Sequence, residues 1–169
     1  CNNIVRIQEN AINIGFSKAH NEAISKAVSF GAEYVFIVNP DLVLAPNALK
    51  TLIDGLIDQP RIGFACPKLL RADENMQPIV PHVLDAAGMY FTPSLRHFDR
   101  GSGQLESEAP YTKPEFVFGA SGAAVLLKRD FIIDVSPSDE HYFEVFDDDF
   151  FAYREDADLA WRALWLGWR

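Results

Sequence analysis

Basic clusters, cysteines and long apolar runs are scarce in this sequence of 169 residues. It has 15 Lys and Arg against 24 Asp and Glu, a net charge of -9. Because a nucleic-acid groove needs clustered basic side chains, nucleic acid is excluded as a partner. The two cysteines, Cys1 and Cys66, are too few for a disulfide scaffold and favour free thiols in the reducing cytoplasm. No apolar run approaches the roughly 20 residues of a membrane-spanning helix.

The chain has the composition and length of one globular domain. Hydrophobic residues make up 49% of it, which is enough for a closed core. It begins at Cys1 rather than at a methionine, and its last predicted helix ends close to Arg169. We therefore expect a single domain over residues 1–169, truncated at the N-terminus and also at the C-terminus.

The first 66 residues alternate between predicted strands and helices. A weak strand is predicted at Ile4–Ile7, and a helix capped by the hydroxyl of Ser17 is predicted to end at Gly31. The apolar run Tyr34–Val38 is typical of a central strand that is buried on both faces. A second amphipathic helix, with Pro46 in its first turn, precedes the short strand Ile62–Cys66. This β-α-β-α-β order predicts an α/β fold with a mostly parallel sheet and flanking helices.

The second half of the chain is less regular. Residues 86–92 and 95–98 are predicted to form a hairpin, and residues 99–114 a mobile loop. A strand is predicted at residues 123–127, and a short helix at 128–135. The last helix is predicted from about Glu155 to Leu166.

Asn39-Pro40-Asp41 directly follows the predicted strand Tyr34–Val38. Ligands of open α/β sheets bind beyond the carboxyl ends of the strands, where the Asp41 carboxylate could hold a divalent cation. All three residue types also form plain turns, so this alternative stays open.

Six acidic residues crowd into the twelve positions 147–158. Glu155, Asp156 and Asp158 fall in the first turn of the predicted last helix, where the helix dipole favours negative charge. Asp158 and Arg162 are four apart and are predicted to pair. Crowded carboxylates raise one another's pKa, which makes Asp156 a candidate proton acceptor.

Two glycine-containing segments are weaker candidates for ligand binding. One is Asn13 to Asn21, in which Gly15 lets backbone approach a ligand and Lys18 could neutralise phosphate. It lacks the spacing of a dinucleotide fingerprint. The other is Gly119-Ala120-Ser121-Gly122, whose small residues allow a sugar or backbone close by. Since Ser121 lacks the second glycine of a nucleophile elbow, a hydrolase is disfavoured.

In their order and spacing these segments resemble the family 2 inverting glycosyltransferases, especially the rhamnosyltransferase-like branch. The resemblance extends over most of the chain and implies a GT-A fold, a Rossmann-like domain for nucleotide-diphospho-sugars. The segments that carry it are Asn13-x-Gly15-Phe16 with Asn21, Val38 to Asp41, Gly63 to Pro67, Phe118 to Gly122 with Lys128-Arg129, Phe146 to Phe151, and Glu155 to Leu159 with Arg162 and Gly167.

The resemblance also implies roles for individual residues. Asn39-Pro40-Asp41 is similar to the family's metal motif, with Asn39 in place of its first Asp, so Asp41 would bind Mg²⁺ or Mn²⁺. Asp156 matches the catalytic base, which deprotonates an acceptor hydroxyl. The implied donor-binding residues are Asn13, Gly15, Lys18, Asn21, Asn39, Gly119, Ser121 and Gly122, and the implied supporting residues are Glu155, Asp158 and Arg162.

The implied partners are a dTDP- or UDP-sugar donor and a glycan or lipid-linked acceptor. Peripheral association with the inner face of the membrane, through regions outside this sequence, is a further implication. The family's usual glycine-rich run is replaced here by Ser17-Lys18-Ala19-His20. Two other functions remain open: a non-catalytic domain of the same fold that binds a nucleotide-sugar or a glycan, and a sugar nucleotidyltransferase.

Overall fold

The computed structural model describes residues 5–136 and 141–169, which form a mixed α/β fold. The helices are α1 (Phe16–Ser29), α2 (Ala48–Leu56), α3 (Arg129–Val135) and α4 (Glu155–Trp165). The strands are β1 (Tyr34–Val38), β2 (Phe64–Ala65), β3 (Leu69–Leu70), β4 (Leu84–Ala86), β5 (Met89–Phe91), β6 (His97–Asp99) and β7 (Ala124–Lys128). The described part contains no helix that is both long and apolar enough to cross a bilayer.

The main sheet has three strands in the order β1-β7-β2, and β7 is antiparallel to both neighbours. The predicted parallel sheet is therefore wrong for the residues described, which contain only antiparallel pairings between their strands. β1 and β2 do run in the same direction, as a β-α-β unit requires. β7, which comes much later in the chain, lies between them. No local sequence pattern could reveal this order of strands.

β7 occupies the central position that the sequence assigned to β1. Its residues Ala124 to Leu127 are at most 3% exposed. In β1, which lies at the edge of the described sheet, only Ile37 is buried. The prediction that Tyr34–Val38 is buried on both faces is thus wrong.

The ends of α1 illustrate one confirmed and one wrong prediction. Gly31 has φ 86°, and the N–H groups of Gly31 and Ala32 bond to the carbonyls of Val28 and Ala27. These bonds form a Schellman motif, as predicted for Gly31. The start is different: Gly15 occupies the N-cap position, and Ser17 lies inside the helix, 1% exposed.

Two further boundaries differ from the sequence predictions. α2 begins at Ala48 with Asn47 as its N-cap, so Pro46 lies outside the helix. Ile4 lies outside the described residues, and Val5 and Ile7 are exposed and form no strand. The predicted strand at residues 4–7 is wrong for its described part, where no partner strand covers these apolar side chains.

The core lies where α1, α3 and α4 pack on β7. The largest fully buried side chains here include Phe131, Phe146, Ile24 and Leu127. α2 covers another part of the sheet with Leu52 and Leu56 against Leu126. Gly63 makes room for this packing, since a Cβ there would lie 2.2 Å from the ring of Phe131.

The irregular middle of the chain adds two small antiparallel sheets, β3-β4 and β5-β6. The second is the predicted hairpin, with Met89 opposite Asp99. Residues 103–106 bond through their backbone to residues 82–84. The mobility predicted for residues 99–114 stays a prediction.

Burial raises the pKa of the free Cys66 thiol to about 11, which keeps it uncharged, while Cys1 lies outside the described residues.

Candidate active site

Three segments that are distant in sequence meet at the N-terminal end of β7: the start of α1, residues 119–122 and the start of α4. The N–H of Phe16 donates to the carbonyl of Phe151 at 2.7 Å. The Phe16 ring reaches Gly122, where a Cβ would lie 3.0 Å from Cζ of Phe16. The N–H of Gly122 donates to Oδ2 of Asp156 at 3.3 Å. These contacts bring together three of the four candidate segments found in the sequence.

Asp156 is the second residue of α4, as predicted, and its side chain is half-buried. Its Oδ1 accepts the N–H of Ala157 at 2.8 Å, while Oδ2 accepts the N–H of Gly122. Both donors are backbone amides, and the positive end of the helix dipole adds to them. The carboxylate is thus held in a fixed place, and no cationic side chain among the described residues bonds to it.

The fourth segment, Asn39 to Asp41, approaches the same end of the sheet. The N–H of Asn39 donates to the carbonyl of Ala123 at 2.9 Å, one residue from Gly122. Asp41 lies two residues further on, in a turn, and is exposed. The described ranges contain no group of three or more His, Cys, Asp or Glu that could hold a metal ion. A cation at Asp41 would therefore need oxygen ligands from elsewhere.

A second acidic group next to Asp156 comes from a segment that the sequence analysis did not single out. Asp99 ends β6 and is exposed by its surface area. Its pKa is nevertheless raised, first by partial desolvation and then by the charges of Asp156 and Asp85, while His97 opposes this. Asp99 and Asp156 are 57 positions apart, so no local spacing could have predicted that they influence each other. Only the hairpin, which pairs Met89 with Asp99 and bonds Met89 to Gly119, makes them neighbours.

Most of the acidic stretch 147–158 has a structural role. Asp147 accepts the N–H of Asp149 at 2.8 Å, and Asp148 accepts the hydroxyl of Tyr142 at 2.8 Å. Burial and the Asp148 carboxylate raise the pKa of Tyr142, so its hydroxyl stays protonated as the donor. Asp158 binds Arg162 as predicted. Asp156 is left as the carboxylate of this stretch that accepts N–H groups from two separate segments, one from Ala157 in its own helix and one from Gly122.

The start of α1 is shaped by Gly15, which is buried and has φ 84°. A Cβ at this position would lie 2.4 Å from the carbonyl oxygen of Phe151, so a larger residue would push the two segments apart. Oδ1 of Asn13 accepts the N–H of Gly15 at 3.0 Å and fixes the turn. Lys18 is exposed on the first turn of the helix.

Asn21 supports the site from inside the protein. It is 0% exposed, and its Nδ2 donates to the carbonyl of Phe146 at 2.5 Å and to Oδ1 of Asp148 at 2.9 Å. Its Oδ1 accepts the N–H of Phe146 at 3.0 Å. All these bonds join α1 to residues 146–148, so any effect of Asn21 on a donor is transmitted through that segment.

The segment 119–122 combines packing with exposure. A Cβ at Gly119 would lie 2.6 Å from Cβ of Ala160, so this glycine allows the segment to pack on α4. Ser121 is half-buried, and its Oγ accepts the N–H of Ala123 at 3.3 Å. Close packing therefore explains Gly119, whereas Ser121 keeps an accessible side chain.

Arg162 ties three parts of the structure together. Its Nε donates to Asp158 at 2.7 Å, Nη1 to the carbonyl of Val135 at 3.0 Å and Nη2 to the carbonyl of Val145 at 2.6 Å. The side chain thereby anchors α4 to the end of α3 and to the segment before Phe146. It acts on the site by holding α4 in position.

Replacing Arg162 with Ala should destabilise the protein. The change leaves two carbonyls and a carboxylate without their donor, and we expect a loss of about 2 kcal/mol in the free energy of unfolding. Denaturant unfolding followed by tryptophan fluorescence measures it. Arg96→Ala, which removes an exposed arginine from the hairpin turn, is the matched control and should change stability by less than about 0.5 kcal/mol. Equal losses in both variants would contradict the anchoring role.

A separate surface depression of about 360 Å³ lies away from these residues. Its lining includes Lys68, His82, Glu106 and Thr112, and none of the predicted site residues. Within it Glu106 binds Lys68 at 2.5 Å and His82 at 3.1 Å, and both bonds lower the pKa of the Glu106 carboxyl. The charges of this depression are thus engaged with one another, so we place the candidate site at Asp156.

Comparison with known proteins shows a distant relationship. Two curated relatives are 26% identical to this chain over 179 aligned positions, which cover 97% of the chain. Both are named N-acetylglucosaminyl-diphospho-decaprenol L-rhamnosyltransferase, from Mycobacterium tuberculosis strains CDC 1551 / Oshkosh and ATCC 25618 / H37Rv. The chain spans about half of their length, 54%. No protein-family model and no solved structure matches the chain. The similarity supports a relationship to glycosyltransferases.

Proposed function

We propose that this chain carries the catalytic centre of an inverting glycosyltransferase, which moves a sugar from a nucleotide-diphosphate donor to a hydroxyl of a glycan or lipid-linked acceptor. The observation that carries the proposal is the Asp156 carboxylate, held by the N–H of Gly122 at the junction of three separate segments. The relatives' printed name, a rhamnosyltransferase acting on a diphospho-decaprenol sugar, supports this reaction class and makes rhamnose the first donor sugar to test.

In the proposed reaction Asp156 takes the proton of the acceptor hydroxyl as its oxygen attacks the anomeric carbon. The bond from that carbon to the diphosphate breaks on the opposite face, so configuration inverts in one displacement. The half-buried position of Asp156 suits this role, because general bases work best when they are placed within hydrogen-bond reach and partly shielded from water.

The residues present fit a metal that is held mainly by the donor. Asp41 offers one exposed carboxylate at the same end of the sheet as Gly122, and Mg²⁺ commonly binds through one or two carboxylates plus phosphate oxygens. When bound, Mg²⁺ or Mn²⁺ would offset the charge that builds up on the leaving diphosphate. Asn39, Gly15, Lys18 and Ser121 would contact the donor around it.

Screening nucleotide-sugars tests the proposal as a whole. The protein is heated with dTDP-rhamnose, UDP-glucose and related donors in the presence of Mn²⁺, and release of nucleotide diphosphate is measured with a lipid-diphosphate-sugar acceptor. We expect thermal stabilisation together with diphosphate release for one donor class. Stabilisation without release would instead favour the non-catalytic binding domain, and release of a nucleoside triphosphate from donor and pyrophosphate would favour the nucleotidyltransferase.

Removing the proposed metal ligand should weaken donor binding only when metal is present. We expect Asp41→Ala to raise the donor Kd about tenfold or more with Mn²⁺, equivalent to at least about 1.4 kcal/mol, and to leave the metal-free Kd unchanged. Isothermal titration with and without Mn²⁺ measures both. The matched control is Asp130→Ala, which removes an exposed carboxylate from α3. Asp58→Ala is less suitable, because Asp58 has a left-handed backbone conformation, with φ 59°, which Asp adopts more readily than Ala. Equal affinity of wild type with and without metal would refute the role of Asp41.

A further inference from the structure

Glu155 is buried although it is an acid. It is the first residue of α4 and is 6% exposed, and its Oε2 finds no hydrogen-bond partner among the described residues. Its Oε1 lies 3.8 Å from the point where a Cβ on Gly122 would stand. The Glu155 carboxyl therefore lies on the side of Gly122 where other residues carry a Cβ. The ring of Phe16 lies on the same side, with its Cζ 3.0 Å from that Cβ position.

An ionised carboxylate in this position would be costly. Burying a charge without a partner is far less favourable than burying the neutral acid, so such groups take up a proton instead. Among the described residues two titratable groups act on Glu155: Asp156 disfavours its negative charge, and His97 from the hairpin favours it. Phe16 and Gly122 contribute no charge. Burial is the largest influence and, with Asp156, raises the pKa of Glu155, although a hydrogen bond from its own backbone N–H and the charge of His97 act in the opposite direction.

We propose that Glu155 is a positioning residue: as an uncharged acid beside Phe16, it supports the Gly122 peptide whose N–H holds the Asp156 carboxylate. This inference rests on the proposed function, because it assigns Glu155 to the placement of the catalytic base. When Glu155 ionises, it faces the adjacent Asp156 charge and is drawn toward water. The contact of Phe16 with Gly122 then loosens, and Asp156 loses its fixed donor.

The proposal predicts how stability changes with pH. A group whose pKa is raised by folding contributes stability that is fully present below its unfolded value, here the ordinary 4.5, and that is lost as pH rises through the folded value. Wild type should therefore lose stability as pH rises above 4.5, by up to about tenfold in the folding equilibrium constant per pH unit. Glu155→Gln keeps the shape of the side chain but cannot ionise, so the part of this loss that is due to Glu155 should disappear, whereas the part due to Asp99, whose pKa is also raised, should remain.

Denaturant unfolding at a series of pH values measures the effect without any assay of activity. Glu74→Gln, which neutralises an exposed acid in the turn between β3 and β4, is the matched control and should keep the wild-type slope. The Gly122 amide ¹⁵N resonance gives a second, local readout. It should follow the ionisation of Glu155 in wild type and lose that dependence on pH in Glu155→Gln. An unchanged stability slope in Glu155→Gln, or an unchanged Gly122 titration, would overturn the proposal.

The activity of the same variants separates positioning from catalysis. We expect Glu155→Gln to shift the alkaline limb of the kcat profile to higher pH, and Glu155→Ala to lower kcat about tenfold with little change in donor KM. If Glu155→Gln instead lowers kcat at every pH as strongly as Asp156→Asn, Glu155 is itself the proton acceptor and the positioning role is wrong. If no donor supports transfer, the proposed function fails, whereas the stability and Gly122 titrations still decide the state of Glu155.

Discussion

Asp156→Asn should abolish sugar transfer while donor binding is retained. The amide keeps the size of the side chain, and its oxygen can still accept the N–H of Gly122, but it cannot take a proton from the acceptor hydroxyl. General bases contribute about 10²- to 10⁴-fold to rate, so we expect kcat to fall by roughly that factor. Release of nucleotide diphosphate measures kcat, and calorimetric titration measures the donor Kd.

The matched control for this prediction is Asp54→Asn. Asp54 is an exposed acid on α2 that pairs with Lys50, four residues earlier, and an exposed pair of this kind contributes little to stability. The control removes one negative charge of the same type far from Gly122 and should keep the wild-type kcat. If Asp156→Asn retains activity, the assignment of the base is wrong. Asp99, whose pKa responds to Asp156, would then be the next carboxyl to test.

Asn21→Ala should cause the largest loss of stability among single polar substitutions. The change leaves the N–H and the carbonyl of Phe146 without their partner and takes one donor from Asp148. A buried group left unpaired costs about 1 to 3 kcal/mol, so we expect a loss of about 3 kcal/mol or more in the free energy of unfolding. For a domain of this size the melting temperature should fall by roughly 10 °C, which calorimetry can measure.

Two variants sharpen this test. Asn47→Ala removes an amide at the N-cap of α2 that makes no side-chain capping bond, so its effect should stay within about 0.5 kcal/mol. Asn21→Asp keeps the acceptor for Phe146 but loses the donor and places a carboxylate beside Asp148. It should destabilise at neutral pH at least as much as Ala, and less at acidic pH. A loss below about 1 kcal/mol in Asn21→Ala would show that the three bonds do not brace the protein.

Local patterns in the sequence predicted local structure well. α4 begins at Glu155 as predicted, and Gly31 has the left-handed conformation of the Schellman motif that ends α1. The hairpin of β5 and β6 lies where turn residues separate its strands. Asp158 pairs with Arg162 because both lie on one face of one helix. Each of these features depends on residues a few positions apart, so their spacing contains the information.

Helix starts were predicted less well. Ser17 and Pro46 are favoured residue types for the first turn, yet α1 starts at Phe16 after Gly15, and α2 starts two residues beyond Pro46. At α1 the reason is tertiary: the N–H of Phe16 donates to the carbonyl of Phe151. Contact with a distant segment thus replaces the hydroxyl cap.

Asp156 stood out in the sequence through its acidic neighbours and the helix that follows it, and so did Asp41 through its place after an apolar strand. Folding decided what those neighbours do: Asp148 binds Asn21 and Tyr142, Glu155 is buried against Gly122, and Asp99 comes close through a hairpin. Folding also inserted β7 between β1 and β2, which made the sheet antiparallel. The physical reason is the same in each case. Side-chain periodicity and turn chemistry act over a few residues, whereas strand order, burial and the pairing of charges depend on segments that meet only when the whole core closes.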